Sequence, residues 1–598
     1  MGHCVMNKYL PTVLLLRSTL LVLFMCTAVP AIIFAAEPVE VHVIGLEGAA
    51  LKNVISSLAL PPGLVKEGTV DKLWLDNFNR QADSKIRMAL EPFGYYAPLV
   101  TTALEEKKAG EYTLLVTVTP GEATRLTEVI VTIQGNGAAE PLLLEKKTNF
   151  PLRTGDQLQH DLYEKAKSSL LAASRELGYL DAQFITHEIL VDPKMASARI
   201  HLVMLSGPRY LFGTTTIKGA TYYPEELLRR YISFSAGEPF SYRAVGKTQL
   251  NFASSPYFRS VSVVPDKEAA TELQVPVVIS VVPAPRRTIR PGIGYGTDTG
   301  ARASVGFKHL SLFAPGNTLN SEIAVAERLQ GIGSAYTIPS RQNIETFSTI
   351  QLNLQREKVN DTVSTLAYLE PSRTTGFGEN RVGTAYLRIM YEEYSVGLES
   401  NSTSLLLLPG LRFSQHGYDD LIRPTRGWHY SLEMRGTSRV LISDATFIQL
   451  IADSGVIIPL PWRFSLKSRG KAATTAIRDP FPDMPSSLRF FAGGDNSVRG
   501  YAYKSLGPKD ATGDVVGGKH LLQGSLELQR AIFNNWAVST FYDAGNAFDD
   551  ATNLKLYQGA GIGLHYATPI GALNLSLARQ ISVTNPQFRI HFTIGFQL

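Results

Sequence analysis

From Arg286 to Leu598 apolar and polar residues alternate with a period of two, most clearly at the end of the chain. Phe588, Ile590, Phe592, Ile594, Phe596 and Leu598 are apolar, whereas Arg589, His591, Thr593, Gly595 and Gln597 between them are polar or small. Successive side chains of a strand point to opposite faces, so this stretch predicts a strand with one wholly apolar face. Such a strand is an aggregation hazard in water but suits the lipid face of a membrane barrel. The same alternation sets Leu526 and Leu528 against Ser525, Glu527 and Gln529, and Trp536, Val538 and Tyr542 against Ala537, Ser539 and Asp543. It also sets Tyr430, Leu432 and Met434 against Ser431, Glu433 and Arg435. A spanning strand takes about 9–11 residues, so residues 285–598 predict an antiparallel transmembrane β-barrel of sixteen strands; fourteen or eighteen fit the length nearly as well.

Upstream the period changes. Val41–Gly45, Val131–Gly135 and Thr216–Gly219 each read as a short strand closed by glycine, and recur at a near-constant interval. Helical patterning follows. In Asp71–Leu90 it falls on Leu73, Phe78, Ala82, Ile86 and Ala89, and in Asp161–Leu177 on Ala166, Leu170, Ala173 and Leu177. Turns at Phe93–Tyr96, Leu177–Leu180 and Pro256–Phe258 lead to closing strands Tyr112–Thr119, Ala198–Leu205 and Val275–Val282. An internal repeat of this kind predicts three small α+β domains, at 37–122, 123–208 and 209–284.

Composition narrows the class. A charge of +5 over 598 residues is too small to suggest a nucleic-acid partner. Lys8 and Arg17 precede an apolar run, Ser18–Ala36, that ends in small residues, so 1–36 reads as a secretory signal. Both cysteines, Cys4 and Cys26, fall in it, leaving the mature chain without a disulfide or a thiolate metal site. After Ala36 no apolar run is long enough to cross a membrane as a helix, so a spanning protein must cross as a closed barrel.

One stretch stands apart, Phe491-Ala-Gly-Gly-Asp-Asn-Ser-Val-Arg-Gly-Tyr501. On a loop folded into a polar lumen, Arg499 could pair with an inward carboxylate. Strand parity supplies Asp543 and Glu527 on inward faces, with Phe541 beside them. Removing one member of such a cluster, if buried, costs about 3–5 kcal/mol. His565 and His591 share inward parity and read as polar filler of the lumen. No Gly-x-Ser-x-Gly or His-Glu-x-x-His occurs, so no enzyme, cofactor or metal is expected.

Val498, Arg499, Gly500 and Tyr501 resemble the inward-folded sixth loop of the BamA-like outer-membrane assembly barrels. Phe541-Tyr-Asp-Ala-Gly545 is similar to that superfamily's Phe-x-Asp-x-Gly strand motif, and Gly559–Leu564 with Thr568–Gly571 to its penultimate region. The terminal strand departs from the family's insertion signal at Thr593 and Leu598, with the glycine displaced to Gly595. The upstream repeats resemble POTRA domains, and three of them suit the TamA-type branch. The resemblance implies that Arg499 contacts Asp543, with Glu527 a third member. It also implies a lateral seam between the first strand, with Gly292, Gly294 and Gly296, and the last, with Phe592, Phe596 and Leu598. It implies an outer-membrane location with periplasmic repeats. The expected function is insertion of unfolded outer-membrane clients, autotransporters among them, into the lipid bilayer. A long TamB-like protein anchored in the inner membrane would dock on the first repeat. The rivals are a two-partner secretion transporter, a BamA-like central insertase, a barrel enzyme and a passive porin.

Overall fold

The computed structural model describes residues 38–595 apart from 67–68, 109, 342, 361, 379, 421–423, 569–570 and 582. Residues 1–36, expected to be a signal segment, and the expected seam positions Phe596 and Leu598 lie outside the described residues. Two compact units divide the chain, one ending at Tyr210 and one starting at Leu211.

The first unit holds two three-stranded sheets. The strands of the first domain are β1 (Val39–Ile44), β4 (Leu99–Lys108) and β5 (Glu111–Thr119), ordered β1-β5-β4, beside a small hairpin of β2 (Val65–Lys66) and β3 (Thr69–Val70). In the second, β6 (Arg125–Gln134), β7 (Gln183–Asp192) and β8 (Ser197–Leu205) are ordered β6-β8-β7. The second unit opens with a third such sheet, in which β9 (Leu211–Lys218), β10 (Phe258–Pro265) and β11 (Gln274–Pro283) are ordered β10-β11-β9. In each, the last strand lies in the middle, parallel to the first strand and antiparallel to the second. Two helices precede the second strand every time: Gly48–Ser57 and Lys72–Leu90, Pro141–Thr148 and His160–Glu176, Glu225–Arg229 and Tyr242–Ala253.

The helix Lys72–Leu90 starts where the Asp71 carboxylate accepts the Trp74 N–H at 3.1 Å, an N-cap that fixes its phase. It buries Leu75, Phe78, Ala82, Ile86, Ala89 and Leu90, packing with Leu114, Val116 and Val118 of β5. Each buried Leu, Ile, Phe or Val among them contributes roughly 1.5–3 kcal/mol. Leu73, expected on this face, is 84% exposed. It sits five residues before Phe78, off the i, i+3, i+4 stripe that Leu75 begins. Within the first unit the two domains meet where Thr124 N–H donates to the Gly94 carbonyl and Tyr96 Oη lies 2.7 Å from His160 Nε2.

Sixteen strands then close a barrel, each antiparallel to the next. They begin with β12 (Arg287–Gly296), β13 (Gly300–Leu310), β14 (Thr318–Ala326), β15 (Leu329–Pro339), β16 (Phe347–Val359) and β17 (Thr362–Gly376). The far wall is β18 (Arg381–Val396), β19 (Glu399–His416), β20 (Gly427–Thr437), β21 (Phe447–Leu460) and β22 (Phe464–Ile477). After a long loop come β23 (His520–Ala531), β24 (Trp536–Phe548), β25 (Tyr557–Thr568), β26 (Gly571–Gln580) and β27 (Phe588–Gly595). Outward positions carry the predicted apolar residues: Leu432, Leu526, Trp536, Tyr542, Phe588 and Ile590 are all exposed, as the lipid-facing side of a spanning strand requires. The third sheet is tied to this wall by Tyr257, whose hydroxyl donates to the Gly316 carbonyl, and by Arg230, whose guanidinium donates to the Ser340 carbonyl.

The wall is uneven. Strands β18 and β19 run 16 and 18 residues, against 10 in β12 and 8 described in β27. Among the described residues, the ladder joining β12 to β27 consists of Tyr295 opposite Ile594 and Gly296 opposite Thr593. On its other side β12 is in register with β13 from Arg287 to Gly296. Gly292, Gly294 and Gly296 stand within that continuous ladder. Gly294 also admits β27: a Cβ there would lie 2.7 Å from the Ile594 carbonyl oxygen. Amides protected by few neighbouring hydrogen bonds exchange through local opening. In hydrogen-exchange mass spectrometry of the folded protein, peptides covering β12 and β27 are expected to exchange at least about tenfold faster than those of β18 and β19. Uniform protection around the barrel would show that the seam is not its weak point.

Candidate functional site: the loop inside the barrel

The long segment between β22 and β23, residues 478–519, folds back among the inward side chains of the barrel. Phe490, Ala492, Val498, Tyr501 and Leu506 of this loop pack with Ala473, Leu521 and Ala547 of the wall into one apolar cluster. Val498 is fully buried, and Tyr501 donates its hydroxyl to the Gln558 carbonyl while its ring meets Tyr557 edge-on. Gly500 takes a φ of +99°, a conformation that glycine adopts without strain. The loop backbone then presses directly on β25: a Cβ on Gly559 would overlap the Arg499 carbonyl oxygen.

Arg499 is 5% exposed and Asp543 fully buried. The Arg499 guanidinium grips Asp543 through Nε at 2.7 Å and Nη2 at 2.9 Å, and its own backbone N–H adds a third bond at 3.0 Å. Nη1 donates to Glu527 at 2.8 Å, and Nη2 also reaches Ser525 Oγ at 3.3 Å. The Ser525 hydroxyl donates to the other Asp543 oxygen at 2.6 Å. Phe541 lies face-on beneath the guanidinium, its ring centre 3.4 Å from Cζ, so the cation is held on its flat side as well as its edge. Glu527 is further held by His565 at 3.1 Å. Only arginine offers a planar fork that can engage one carboxylate with two donors and a second with a third. Strand parity places the acids: Ser525 is opposite Asp543, and Glu527 opposite Phe541, across the β23–β24 ladder. Gly545, two residues on, is opposite Gln523 and carries no part of the cluster.

Other anchors were not legible beforehand. Glu392 on β18 is fully buried and accepts from Ser364, from the hydroxyls of Ser486 and Ser487 and from the Ser487 N–H. Glu357 on β16 accepts from Lys504 at 2.6 Å and from the Tyr503 hydroxyl. The Arg489 guanidinium donates to the carbonyls of Met484, Pro482 and Val516, stiffening the loop itself. His591 on β27, expected to be lumen filler, instead accepts the Gly500 N–H on Nε2 at 2.8 Å and contacts Asp495 through Nδ1. Gln580 on β26 donates to the Gly500 carbonyl. The loop is thus pinned to walls on several sides. The Gly559–Leu564 motif lies on β25, one strand earlier than a penultimate position. Phe592 is at the seam, its N–H donating to Thr297 Oγ1 at 2.7 Å and its carbonyl accepting the Thr297 N–H at 3.0 Å.

A sixteen-stranded membrane barrel with an arginine loop locked inside it, preceded by repeated α+β domains, is the architecture of an outer-membrane assembly or secretion barrel. The chain belongs to the Omp85 superfamily: the profile of the Omp85 superfamily domain matches residues 291–598, and that of the first POTRA domain of TamA matches 40–120. Among curated relatives, the outer membrane protein assembly factor BamA of Nitratidesulfovibrio vulgaris is 22% identical over 209 residues, 33% of this chain and 26% of that protein. BamA of Buchnera aphidicola is 23% identical over 148 residues, 25% of this chain and 24% of that protein. The matched stretches span about a quarter of those relatives' length. The solved structure of BamA from Haemophilus ducreyi lacking POTRA domains 1–3 shares the fold, with a TM-score of 0.61 at 17% identity over 79% of this chain and 99% of that one.

Removing Asp543 leaves the Arg499 charge buried without its main partner, a loss of about 3–5 kcal/mol. Asp543→Ala is expected to lower sharply the temperature at which the purified barrel loses its folded mobility in a cold-loaded gel. Glu527→Gln, which removes one of several bonds, should cost less. Arg499→Met combined with Asp543→Leu and Glu527→Gln should recover part of the Asp543→Ala loss, because all three charges of the cluster are removed together. Equal losses in all three would show that the ion pair is not what holds the loop.

Proposed function

We propose that this chain is an outer-membrane insertion and assembly factor, with its three small domains in the periplasm and no bond-making chemistry of its own. Its clients are unfolded β-barrel proteins, including the barrels of autotransporters. The observation that carries the reading is a lumen occupied by a loop that Arg499 pins to the barrel wall. A plugged lumen offers no path for export of a chain, so the reading puts client entry at the edge between β12 and β27, where a parting seam would present the backbone groups of β12 to an incoming strand. That pairing would satisfy the client's N–H and C=O groups as it enters hydrocarbon, where unpaired ones are costly. Both outer strands of the first domain's sheet, β1 and β4, are likewise open to strand addition. By its TamA-type match we assign that domain as the dock for a TamB-like protein anchored in the inner membrane.

Two experiments test this. With Cys4 and Cys26 replaced by serine, a disulfide between Tyr295→Cys and Ile594→Cys, which face each other at the seam, should abolish client insertion into liposomes. Reduction should restore it. Insertion that persists with the seam locked rules out lateral opening. In cells, crosslinking followed by mass spectrometry should recover a large inner-membrane-anchored partner that is lost when residues 37–120 are deleted. Recovery of one secreted protein would favour a two-partner transporter, and recovery of small outer-membrane lipoproteins a central insertase.

A further inference from the structure

At the end of the seam away from the third sheet, three side chains from three elements converge. Asp298 lies in the turn between β12 and β13, Asp495 in the lumen loop, and His591 on β27; a side-chain oxygen or nitrogen of each lies within 4.8 Å of those of the other two. Asp495 is the link. Its N–H donates to Asp298 Oδ2 at 2.7 Å, and its carboxylate meets His591 Nδ1 at 2.5 Å. The loop therefore touches the first hairpin and the last strand through one residue.

Protonation states follow from the bonds. His591 Nε2 accepts the Gly500 N–H, so Nε2 carries no proton and Nδ1 donates its own to Asp495. A cation at Nδ1 would have to displace that proton, so the trio is satisfied as a hydrogen-bonded set. Asp298 is the group left in difficulty. Among the described residues its Oδ1 is buried without a hydrogen-bond partner, beside a second carboxylate.

We propose that Asp298, Asp495 and His591 form a proton-sensitive clasp across the barrel seam: the closed seam keeps Asp298 protonated, and ionisation of Asp298 favours opening. The proposal rests on the seam being the moving part of the barrel, as the proposed function has it. The groups facing Asp298 are Asp495 and Tyr503 from the loop and Arg589 and His591 from β27; Arg328, from the turn between β14 and β15, donates to the Asp298 carbonyl. Burial first and the Asp495 charge second push the Asp298 carboxyl up to about 6 from its ordinary 3.8, against the opposing pull of His591 and Arg589. In an open seam the carboxyl meets water and returns to the ordinary value. Closure therefore takes up a proton in the window between the two values, and its advantage is lost as pH rises through about 6.

The test places nitroxides at Tyr295→Cys and Ile594→Cys, with Cys4 and Cys26 replaced by serine, in the full chain in liposomes. Dipolar broadening in the EPR spectrum reports a closed seam directly and needs no client, so this result stands apart from the insertion assay. The closed-to-open ratio is expected to fall about tenfold from pH 5 to pH 7.5. Asp298→Asn, which cannot ionise, should stay closed at both values. Asp495→Ala should open at both, with Asp495→Asn as the milder variant and gel mobility confirming that each barrel is folded. Broadening that ignores pH, a pH response that survives Asp298→Asn, or opening on addition of a chelator would each overturn the clasp.

Discussion

A charge buried in the lumen governs this barrel. Taking Arg499 out of water is expensive, and only a geometry that returns most of its lost hydrogen bonds can offset that cost. Asp543, Glu527, Ser525 and the Phe541 ring supply that geometry together. Because they stand on adjacent strands in fixed register, the loop has one favourable position. Everything else about the lumen follows: the apolar cluster around Val498, the contact of the Arg499 carbonyl with Gly559, and the reach of Asp495 to both sides of the seam.

The pinned loop and the seam that opens in the proposed function are thus adjacent. Strands β23 and β24 hold the loop through charge-assisted bonds, which are roughly twice as strong as neutral ones. At the seam the described contacts are Tyr295 opposite Ile594, Gly296 opposite Thr593, Thr297 bonded to Phe592, and those of Asp495. The Arg499 cluster uses none of them, so in the proposed function the seam parts while the loop stays in place.

Much of this was legible in the sequence because the signals are periodic. Alternation of apolar and polar residues located the wall and assigned Asp543, Glu527 and Phe541 to the lumen, and the repeat of strand, helices and strands marked the sheets upstream. What could not be read was pairing across long separations without a strong charge or a motif. Glu392 meets Ser486 and Ser487 from a distant strand, and nothing in either stretch announces the other. His591 had the right parity, but its partners, Gly500 and Asp495, lie on a loop whose path only the fold defines. Leu73 failed for a local reason, since the Asp71 cap put Leu75 on the buried stripe.

In the proposed function a client strand enters at β12 rather than through the lumen. The most direct measurement places a photo-crosslinking residue at Ile293, which faces outward on β12, and in parallel at Leu387 on the far wall and at Lys467, which lies opposite the inward-facing Glu527. During client assembly the account predicts a crosslink to the client's terminal strand from Ile293 alone. Capture from Lys467 in preference to Ile293 would contradict it and make the lumen the route.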